Sequence, residues 1–308
     1  MSITFVIPVY NERETLETLT AGIVEYVPTR QFRVLFVDDG STDGSYEELL
    51  RLRETYPMID IIKFRRNFGK SQALAAAFAN AKGDIVIMMD SDLQDDPKEI
   101  PRLLEKLDEG YDIVCGWKAH RRDPWHKTVP SRVFNLLVSR AFGLDLHDIN
   151  TGFKAIRMEV ARRLPLYGEM HRMIAVFAAE MGYRVTEIPV EHHPRRHGRS
   201  KYGFERYYRG AVDAYAVWFL SRHGQSPGHF FAKRGLAALT LGGPATIVGA
   251  LLVGFNQWHS LGMLLGCFGI AASSTGVITF AVGLLCELLR HEIALIDPTL
   301  YIEKEIRG

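Results

Sequence analysis

Two aspartates one residue apart, Asp90 and Asp92, directly follow an apolar run at 85–89. Such a run is typical of a buried strand, and ligand-binding groups of α/β sheets lie at strand ends. Both carboxylates can bind one hard divalent cation, Mg²⁺ or Mn²⁺, directly or through water. The cation would offset negative charge that grows on a phosphate leaving group. An Asp-x-Asp triplet alone is weak evidence, and its place after a strand is what favours a metal site.

Two further aspartates, Asp38 and Asp39, follow a second apolar run at 32–37. Asp39 could accept hydrogen bonds from a base or a ribose. A plain turn at 38–41 is the alternative, because Gly and Asp are frequent in turns.

A basic loop at 192–201 provides fixed positive charge. Its cations are Arg195, Arg196, Arg199 and Lys201. Positive charge in a water-poor site would let two anionic reactants approach each other. A solvated basic surface and a contact with anionic lipid are the alternatives. The three histidines of this loop are expected to donate to phosphate or to lie at the surface, not to hold a metal.

Alternating strands and helices must position these groups. Apolar periodicity and capping residues predict strands at 3–9, 32–37, 59–64, 85–89, 111–115 and 184–190, and helices at 43–54, 70–81, 96–108, 127–142 and 170–181. Asn11 is predicted to cap another helix, at the end of the first strand. The alternation predicts an α/β fold with a mostly parallel, doubly wound sheet, in which Asn11 and both aspartate pairs lie at one edge.

Two stretches near the C-terminus, Gly235 to Phe255 and Leu261 to Cys286, contain no Lys, Arg, Asp or Glu. Each is long enough to cross a bilayer core of about 30 Å, and the short turn between them predicts a membrane hairpin. The alternative is a pair of core helices in a soluble protein.

Tyr207 to Phe219 is aromatic and amphipathic, as is typical of a segment at the lipid interface. Gly262 to Gly266 could pack spans within or between subunits, which leaves a homo-oligomer open.

Basic residues flank the hairpin and are missing from its turn. They are Arg222, Lys233 and Arg234 before the first span, and Arg290, Lys304 and Arg307 after the second. The positive-inside rule predicts a multi-pass protein of the cytoplasmic (inner) membrane with a cytoplasmic catalytic part.

Composition excludes several other classes. The formal net charge of +1 argues against a nucleic-acid binder. Three cysteines without motif spacing argue against a disulfide framework or a zinc site, which fits a reducing compartment. No glycine-rich dinucleotide fingerprint and no P-loop motif occurs. Residues 1–6 are expected to form a strand and not a signal peptide.

Taken together, the motifs resemble the family-two glycosyltransferases of GT-A fold. The shared segments are 6–12 (VIPVYNE), 37–43 (VDDGSTD), 67–70 (NFGK) and 89–95 (MDSDLQD). More narrowly, 150–154 (NTGFK), 170–172 (MHR), the loop from His193 to Gly203 and the paired spans are similar to the polyprenyl-phosphate sugar transferases. The resemblance covers nearly the whole chain.

The resemblance implies roles for individual residues. Nucleotide-binding residues would be Pro8, Tyr10, Glu12, Asp39 and Asp90, and metal-binding residues would be Asp90, Asp92 and Gln94. Acceptor-phosphate residues would be Lys118, Lys127, Ser131, Arg199 and Ser200. The catalytic set would be Asp92, Lys118, Lys127, Ser131, Arg199 and Lys201. The family more often has Arg at the positions of Lys118 and Lys127, where Lys offers a point charge instead of a bidentate fork. Asp148 is equally suited to orient the acceptor or to cap a turn.

Many family-two enzymes carry Glu-Asp where this chain has His171-Arg172, because they need a base to deprotonate a sugar hydroxyl. A lipid monophosphate has a second pKa near 6, so it is already a dianionic nucleophile at neutral pH and needs no base.

These observations favour metal-dependent transfer of one hexose from a nucleotide-sugar to polyprenyl (undecaprenyl or dolichyl) phosphate, and the resemblance implies inversion. UDP-glucose and GDP-mannose are the favoured donors, and a UDP-N-acetylhexosamine is the alternative. The expected organisation is a GT-A catalytic domain at 1–204, an amphipathic juxtamembrane segment at 205–232, a transmembrane hairpin at 233–290 and a cytoplasmic tail at 291–308. The alternatives are a processive polysaccharide synthase and a non-catalytic, membrane-tethered regulator that binds nucleotide-sugars.

Overall fold

The computed structural model describes residues 1–27, 31–119, 125–193, 205–224, 226–255 and 258–294, without the side chains of 125–132, 134, 205–211, 213, 221 and 290–294. The chain divides into two compact units, Met1–Trp218 and Phe219–Gly308.

A seven-stranded sheet forms the centre of the first unit. Its strands are β1 (Ile3–Val9), β2 (Phe32–Asp38), β3 (Ile59–Lys63), β4 (Ile85–Met88), β5 (Ile113–Lys118), β6 (Lys154–Arg157) and β7 (Val185–Val190). They lie side by side in the order β3-β2-β1-β4-β6-β5-β7. All neighbours are parallel except β6, which runs antiparallel to both β4 and β5. The predicted mostly parallel α/β sheet is confirmed.

Helices cover both faces of this sheet. They are α1 (Leu16–Tyr26), α2 (Ser45–Thr55), α3 (Lys70–Asn80), α4 (Ile100–Asp108), α5 (Trp125–Phe142), α6 (Met158–Arg163), α7 (Ile174–Glu180) and α8 (Glu205–His223). Alternate side chains of a strand point to opposite faces. Phe5 and Ile7 of β1 therefore join a core with α1, α2 and α4, whereas Val6 joins a core with α3, α6 and α7. Burial on both faces explains why the strands are continuous apolar runs.

Strand β6 and helix α6 are not predicted from the sequence. A four-residue strand that begins with Lys154 has neither an apolar run nor an alternating pattern. Its pairing with β4 and β5 comes entirely from tertiary contacts.

The prediction that Asn11 caps a helix is wrong. Asn11 has a positive φ of 56°, and the chain turns there before a short 3-10 turn at Arg13–Thr15. Its side-chain oxygen accepts a hydrogen bond from the Thr42 amide at 2.8 Å, while its own amide donates to Ser41 at 3.0 Å. Asn11 thus joins the ends of β1 and β2, because a short amide side chain tolerates the left-handed region and bonds to a neighbouring backbone.

Helix α8 presents two kinds of surface within the first unit. Val217 is fully buried in the core that α7 also lines, whereas Val212 and Tyr215 are exposed. The exposed pair belongs to the stripe that the sequence predicts for the lipid interface.

The second unit contains two long apolar helices, α9 (Pro227–Val253) and α10 (His259–Ala294). Both are long and apolar enough to cross a membrane, over Pro227–Val253 and His259–Leu289. Large apolar side chains such as Leu241, Ile247 and Leu264 are more than 60% exposed. Core helices of a soluble protein would bury these side chains, so this alternative fits poorly.

Glycines at every seventh position line the contact between these two helices. They are Gly228, Gly235, Gly242 and Gly249 on α9, and Gly262, Gly269, Gly276 and Gly283 on α10. A Cβ at Gly235 would lie 2.8 Å from the carbonyl oxygen of Gly276, so the two backbones are in direct contact. A seven-residue repeat keeps one face of each helix toward its partner, and glycine permits the closest approach. Gly262 belongs to this contact within one chain.

Close packing between α9 and α10 predicts opposite effects of Gly→Ala substitutions at two neighbouring positions. Gly→Ala in a helix interior ordinarily stabilises by about 1 kcal/mol. A Cβ at Gly242 would meet the amide nitrogen and hydroxyl of Ser273 at 2.6 Å, whereas a Cβ at Gly243 would meet nothing within 4 Å. Overpacking typically costs about 1–3 kcal/mol. We expect Gly242→Ala to lower, and Gly243→Ala to maintain or raise, the thermal unfolding midpoint in one detergent. Equal shifts would contradict the close contact.

Candidate active site

The ends of β1, β2 and β4 meet at one edge of the sheet, as the sequence predicts. β1 lies between the other two, and all three are parallel. The amide of Asp39 donates to the carbonyl of Val9 at 2.8 Å, and the amide of Met89 donates to the carbonyl of Val6 at 3.2 Å. The backbone therefore brings Tyr10, Asp39 and Asp90 to neighbouring positions.

Lys70, the first residue of α3, forms an ion pair with Asp90. Burial alone would raise the pKa of the Asp90 carboxyl. The Lys70 ammonium, helped by the more distant Lys118, outweighs burial and lowers this pKa to about 2. Asp90 is therefore an anion at all physiological pH values. Lys70 lies in one of the segments that carry the resemblance, but its type and position alone do not indicate this partner.

Lys118, at the end of β5, stands among four carboxylates. Its ammonium lies 3.3 Å from an oxygen of Asp95, which is 2% exposed. Burial lowers the pKa of Lys118, but Asp95, Asp90, Asp148 and Asp92 raise it above its ordinary value. Lys118 therefore lies within electrostatic range of Asp90 and Asp92, the predicted metal residues.

Asp39 is held by the loop that precedes α3. Its two oxygens accept from the amides of Phe68 at 2.7 Å and Gly69 at 2.9 Å. Burial raises the pKa of Asp39, and these two hydrogen bonds oppose the rise. Each oxygen keeps a further lone pair with which it can accept a hydrogen bond. Asp38 lies beneath it, fully buried, with one oxygen accepting from the Ser41 amide at 3.0 Å.

Asp92 and Gln94 lie on a tight turn after β4. Asp92, 6% exposed, accepts from the Gln94 amide at 3.2 Å, and Leu93 between them has a positive φ of 59°. Gln94 also pairs with the chain at His193: its carbonyl accepts from the His193 amide at 2.9 Å, and its side-chain amide donates to the His193 carbonyl at 3.4 Å. This pairing fixes the residue from which the basic loop begins.

Gly152 packs closely against the Asp90 carboxylate. A Cβ at this position would lie 2.5 Å from an Asp90 oxygen, so no other residue fits without moving the carboxylate. The loop before it is fixed by Lys154, which is fully buried and donates to the carbonyls of Thr151 and Ile149. Burial lowers the pKa of Lys154. No ion pair joins it to an acidic side chain in the part of the chain that the structure describes.

His147 anchors the other end of this loop. Its ring stacks on Trp117 with centroids 4.1 Å apart, and its Nδ1 lies 2.5 Å from Glu187 of β7. Glu187 also accepts from the amides of His147 at 2.8 Å and Asp148 at 3.3 Å. Asp148, 2% exposed, is thus placed near Lys118 by an anchored loop.

His171 lies on a 3-10 turn at Met170–Met173, and it contacts the start of α3. Its Nδ1 lies 2.9 Å from the Ser71 hydroxyl, and its amide donates to the same hydroxyl at 3.1 Å. Burial, followed by the nearby charges of Lys70 and Arg172, lowers the pKa of His171 well below 6.5. The imidazole is therefore neutral at pH 7.

A second acidic group lies next to the predicted metal residues. Asp96, Glu191 and His193 bring one ligand atom each within 4.8 Å of one another. Lys98 already offsets one of the two negative charges of this group, since its ammonium lies 3.3 Å from Asp96 and 2.6 Å from Glu191. We therefore do not take it as the site that the Asp90-Asp92 pair predicts.

Five of the predicted site residues cannot be placed in detail. Lys127 and Ser131 belong to α5, but their side chains lie outside the described part of the chain. Arg199, Ser200 and Lys201 lie outside the described residues altogether.

Residues 4–164 match the family model of glycosyl transferase family 2. The chain is 33% identical over 305 residues to a dodecaprenyl-phosphate galacturonate synthase of Rhizobium johnstonii, which covers 94% of this chain and 88% of that protein. It is 38% identical over 205 residues to an undecaprenyl-phosphate 4-deoxy-4-formamido-L-arabinose transferase of Edwardsiella ictaluri, which covers 65% of this chain and 63% of that protein.

Solved structures share the fold. A glucosyl-3-phosphoglycerate synthase from Mycobacterium tuberculosis, crystallised with phosphoglyceric acid, has a TM-score of 0.56 at 20% identity over 71% of this chain and 79% of that one. The same enzyme has been solved with Mn²⁺ and UDP, at the same TM-score. The chain is thus a glycosyltransferase of GT-A fold that belongs to glycosyl transferase family 2.

Proposed function

We propose that this protein transfers a single hexose from a nucleotide-sugar to polyprenyl phosphate at the cytoplasmic face of the membrane, with inversion. The observation that carries the proposal is the relative whose name states polyprenyl-phosphate sugar synthesis, matched over 94% of this chain. The composition of the site and the two apolar helices support it.

The residues at the end of β4 suit a divalent cation. Ligating carboxylates must be ionised, and the Lys70 ion pair keeps Asp90 ionised. The side chains of Asp90, Asp92 and Gln94 offer oxygen donors, as such cations prefer. Asp90, Asp92 and Gln94 would hold the ion. When bound, it would supply charge neutralisation to the leaving diphosphate.

The nucleoside would lie over the ends of β1 and β2. Asp39 is fixed by two backbone amides and retains lone pairs that can accept from a base or ribose. Pro8, Tyr10 and Glu12 lie on the neighbouring segment and would complete this part of the site. UDP-glucose and GDP-mannose remain the favoured donors, and a galacturonate donor enters as a third because of the Rhizobium relative.

The acceptor phosphate would be held by cations. Lys118 is the cation of this set whose surroundings the structure describes, and it lies among the β4 carboxylates. Lys127, Ser131, Arg199, Ser200 and Lys201 would add to it. A dianionic phosphate attacks without a general base, so the task of these residues is to bring two anions together.

Membrane placement follows from α9 and α10. Each is long and apolar enough to span a bilayer, and both expose large apolar side chains. Basic residues at both ends of the pair predict that the catalytic domain faces the cytoplasm.

Transfer of labelled sugar tests the proposal directly. Purified protein is incubated with undecaprenyl phosphate, Mn²⁺ or Mg²⁺ and labelled UDP-glucose, GDP-mannose or UDP-galacturonate in turn. We expect one donor to give label in the lipid phase, and Asp92→Asn to reduce the rate by about 100-fold or more, as loss of a charge-stabilising group at a reacting phosphate does. Polymeric product would indicate a processive synthase, and donor binding without any product would indicate a regulator.

Gly152→Ala is expected to lower the rate of transfer at least about tenfold. Its methyl group would displace the Asp90 carboxylate, and small displacements of catalytic groups have large effects on rate. The unfolding midpoint is measured in parallel, and Gly243→Ala serves as a control for the substitution itself. Unchanged transfer by a folded Gly152→Ala protein would show that the position of Asp90 is not critical.

Lys70→Met is expected to introduce a pH dependence. Without Lys70, burial raises the pKa of Asp90 from about 2 by about 1–3 pH units, so the carboxylate takes up protons in weak acid. Affinity for UDP or GDP with Mn²⁺ is measured for both proteins between pH 7 and pH 4.5. The ratio of variant to wild-type affinity should fall as the pH decreases. A constant ratio would mean that Lys70 does not control the ionisation of Asp90.

A further inference from the structure

The imidazole of His171 is fixed by a single neighbour. The Ser71 hydroxyl, fully buried at the start of α3, accepts from the His171 amide at 3.1 Å and lies 2.9 Å from Nδ1. Two contacts to one oxygen leave the ring little rotational freedom. The two residues are 100 positions apart in the chain, so the contact joins the 3-10 turn to α3.

These contacts also determine which ring nitrogen carries the proton. A hydroxyl has one proton to donate. The Ser71 oxygen already accepts from the His171 amide, and Nδ1 is the acceptor that the described residues offer to its proton. Nδ1 therefore accepts, and a neutral imidazole then carries its proton on Nε2.

The Nε2–H group is a hydrogen-bond donor without a protein partner among the described residues. The ring is half-buried and lies within electrostatic range of Lys70, Asp90 and Lys154. Ser71 directly follows Lys70, which pairs with Asp90, so the ring lies close to the Asp90 end of the proposed donor site.

We propose that Nε2–H of His171 donates a hydrogen bond to a hydroxyl oxygen of the sugar being transferred and thereby helps to select the donor. This inference rests on the proposed function. A donor chain that begins with the nucleoside at β1 and β2 and continues with the diphosphate at Asp90 and Asp92 places its sugar beyond them. Ammonium groups are suited to bind phosphate oxygens, whereas an uncharged N–H group of fixed direction is suited to donate to an uncharged hydroxyl.

Two substitutions at position 171 separate the hydrogen bond from the space that the ring occupies. His171→Phe keeps a planar ring and removes the donor. His171→Gln keeps an amide N–H group at a comparable distance from the backbone. Affinity is measured by calorimetry with Mn²⁺ and without acceptor, for UDP against UDP-glucose and UDP-galacturonate, and for GDP against GDP-mannose.

The nucleotide-sugar that wild type prefers should bind about 5–10-fold more weakly to His171→Phe, as expected for one lost hydrogen bond. The free nucleoside diphosphate should bind equally to both, and His171→Gln should lie within about twofold of wild type. Should His171→Phe fail to fold, Ser71→Ala, which releases the ring, is expected to give the same selective loss.

An equal loss for the diphosphate and the nucleotide-sugar, or no loss for either, would overturn the inference. So would a change confined to the KM for undecaprenyl phosphate in the transfer assay. Because binding is measured without acceptor, absence of lipid-linked product from wild type would refute the proposed function while the binding comparison still decides the role of His171.

Discussion

Compensation of negative charge at the end of β4 is the constraint on which the rest of the site depends. Four aspartates lie around Lys118, and Asp90 additionally pairs with Lys70. Like charges at such distances raise one another's pKa unless cations intervene, and a protonated carboxyl neither ligates a metal nor orients a phosphate. Lys70 keeps Asp90 ionised despite its burial, and Lys118 lies among all four carboxylates. An ionised Asp90 is what a divalent cation, and through it a diphosphate, would require.

Strand pairing and a buried lysine, neither of which is proposed to take part in the reaction, hold the Asp90 carboxylate in place. Strand β4 is fully buried and pairs with β1 and β6, so the residue that follows it cannot move far. Strand β6 returns antiparallel and brings Gly152 against the Asp90 carboxylate. Lys154, buried and bonded to two carbonyls, fixes the turn before it. Burying an ammonium is unfavourable, so the path of this loop is maintained at some expense of stability.

Sequence patterns were sufficient for the sheet and its active edge, because buried parallel strands appear as apolar runs and strand ends carry the polar clusters. They were not sufficient for β6, whose pairing is tertiary, or for the Lys70–Asp90 and Ser71–His171 contacts, which join residues 20 and 100 positions apart. The glycine repeat in α9 and α10 differs from these. Its seven-residue spacing is present in the sequence itself and does not depend on tertiary contacts. The roles of the site residues stay predictions, and those from Arg199 to Lys201 lie outside the described chain.

His171 connects the geometry of the site to the nature of the acceptor. At this position a base would have to offer a lone pair to the reacting hydroxyl. In the tautomer inferred above, the one lone pair of the neutral ring is directed at Ser71, and Nε2 carries the proton. The residue can therefore donate but cannot deprotonate. An alcohol acceptor would find no base at position 171, whereas a phosphate dianion attacks as it is. The fixed tautomer of His171 thus favours a phosphate over an alcohol as the group that receives the sugar.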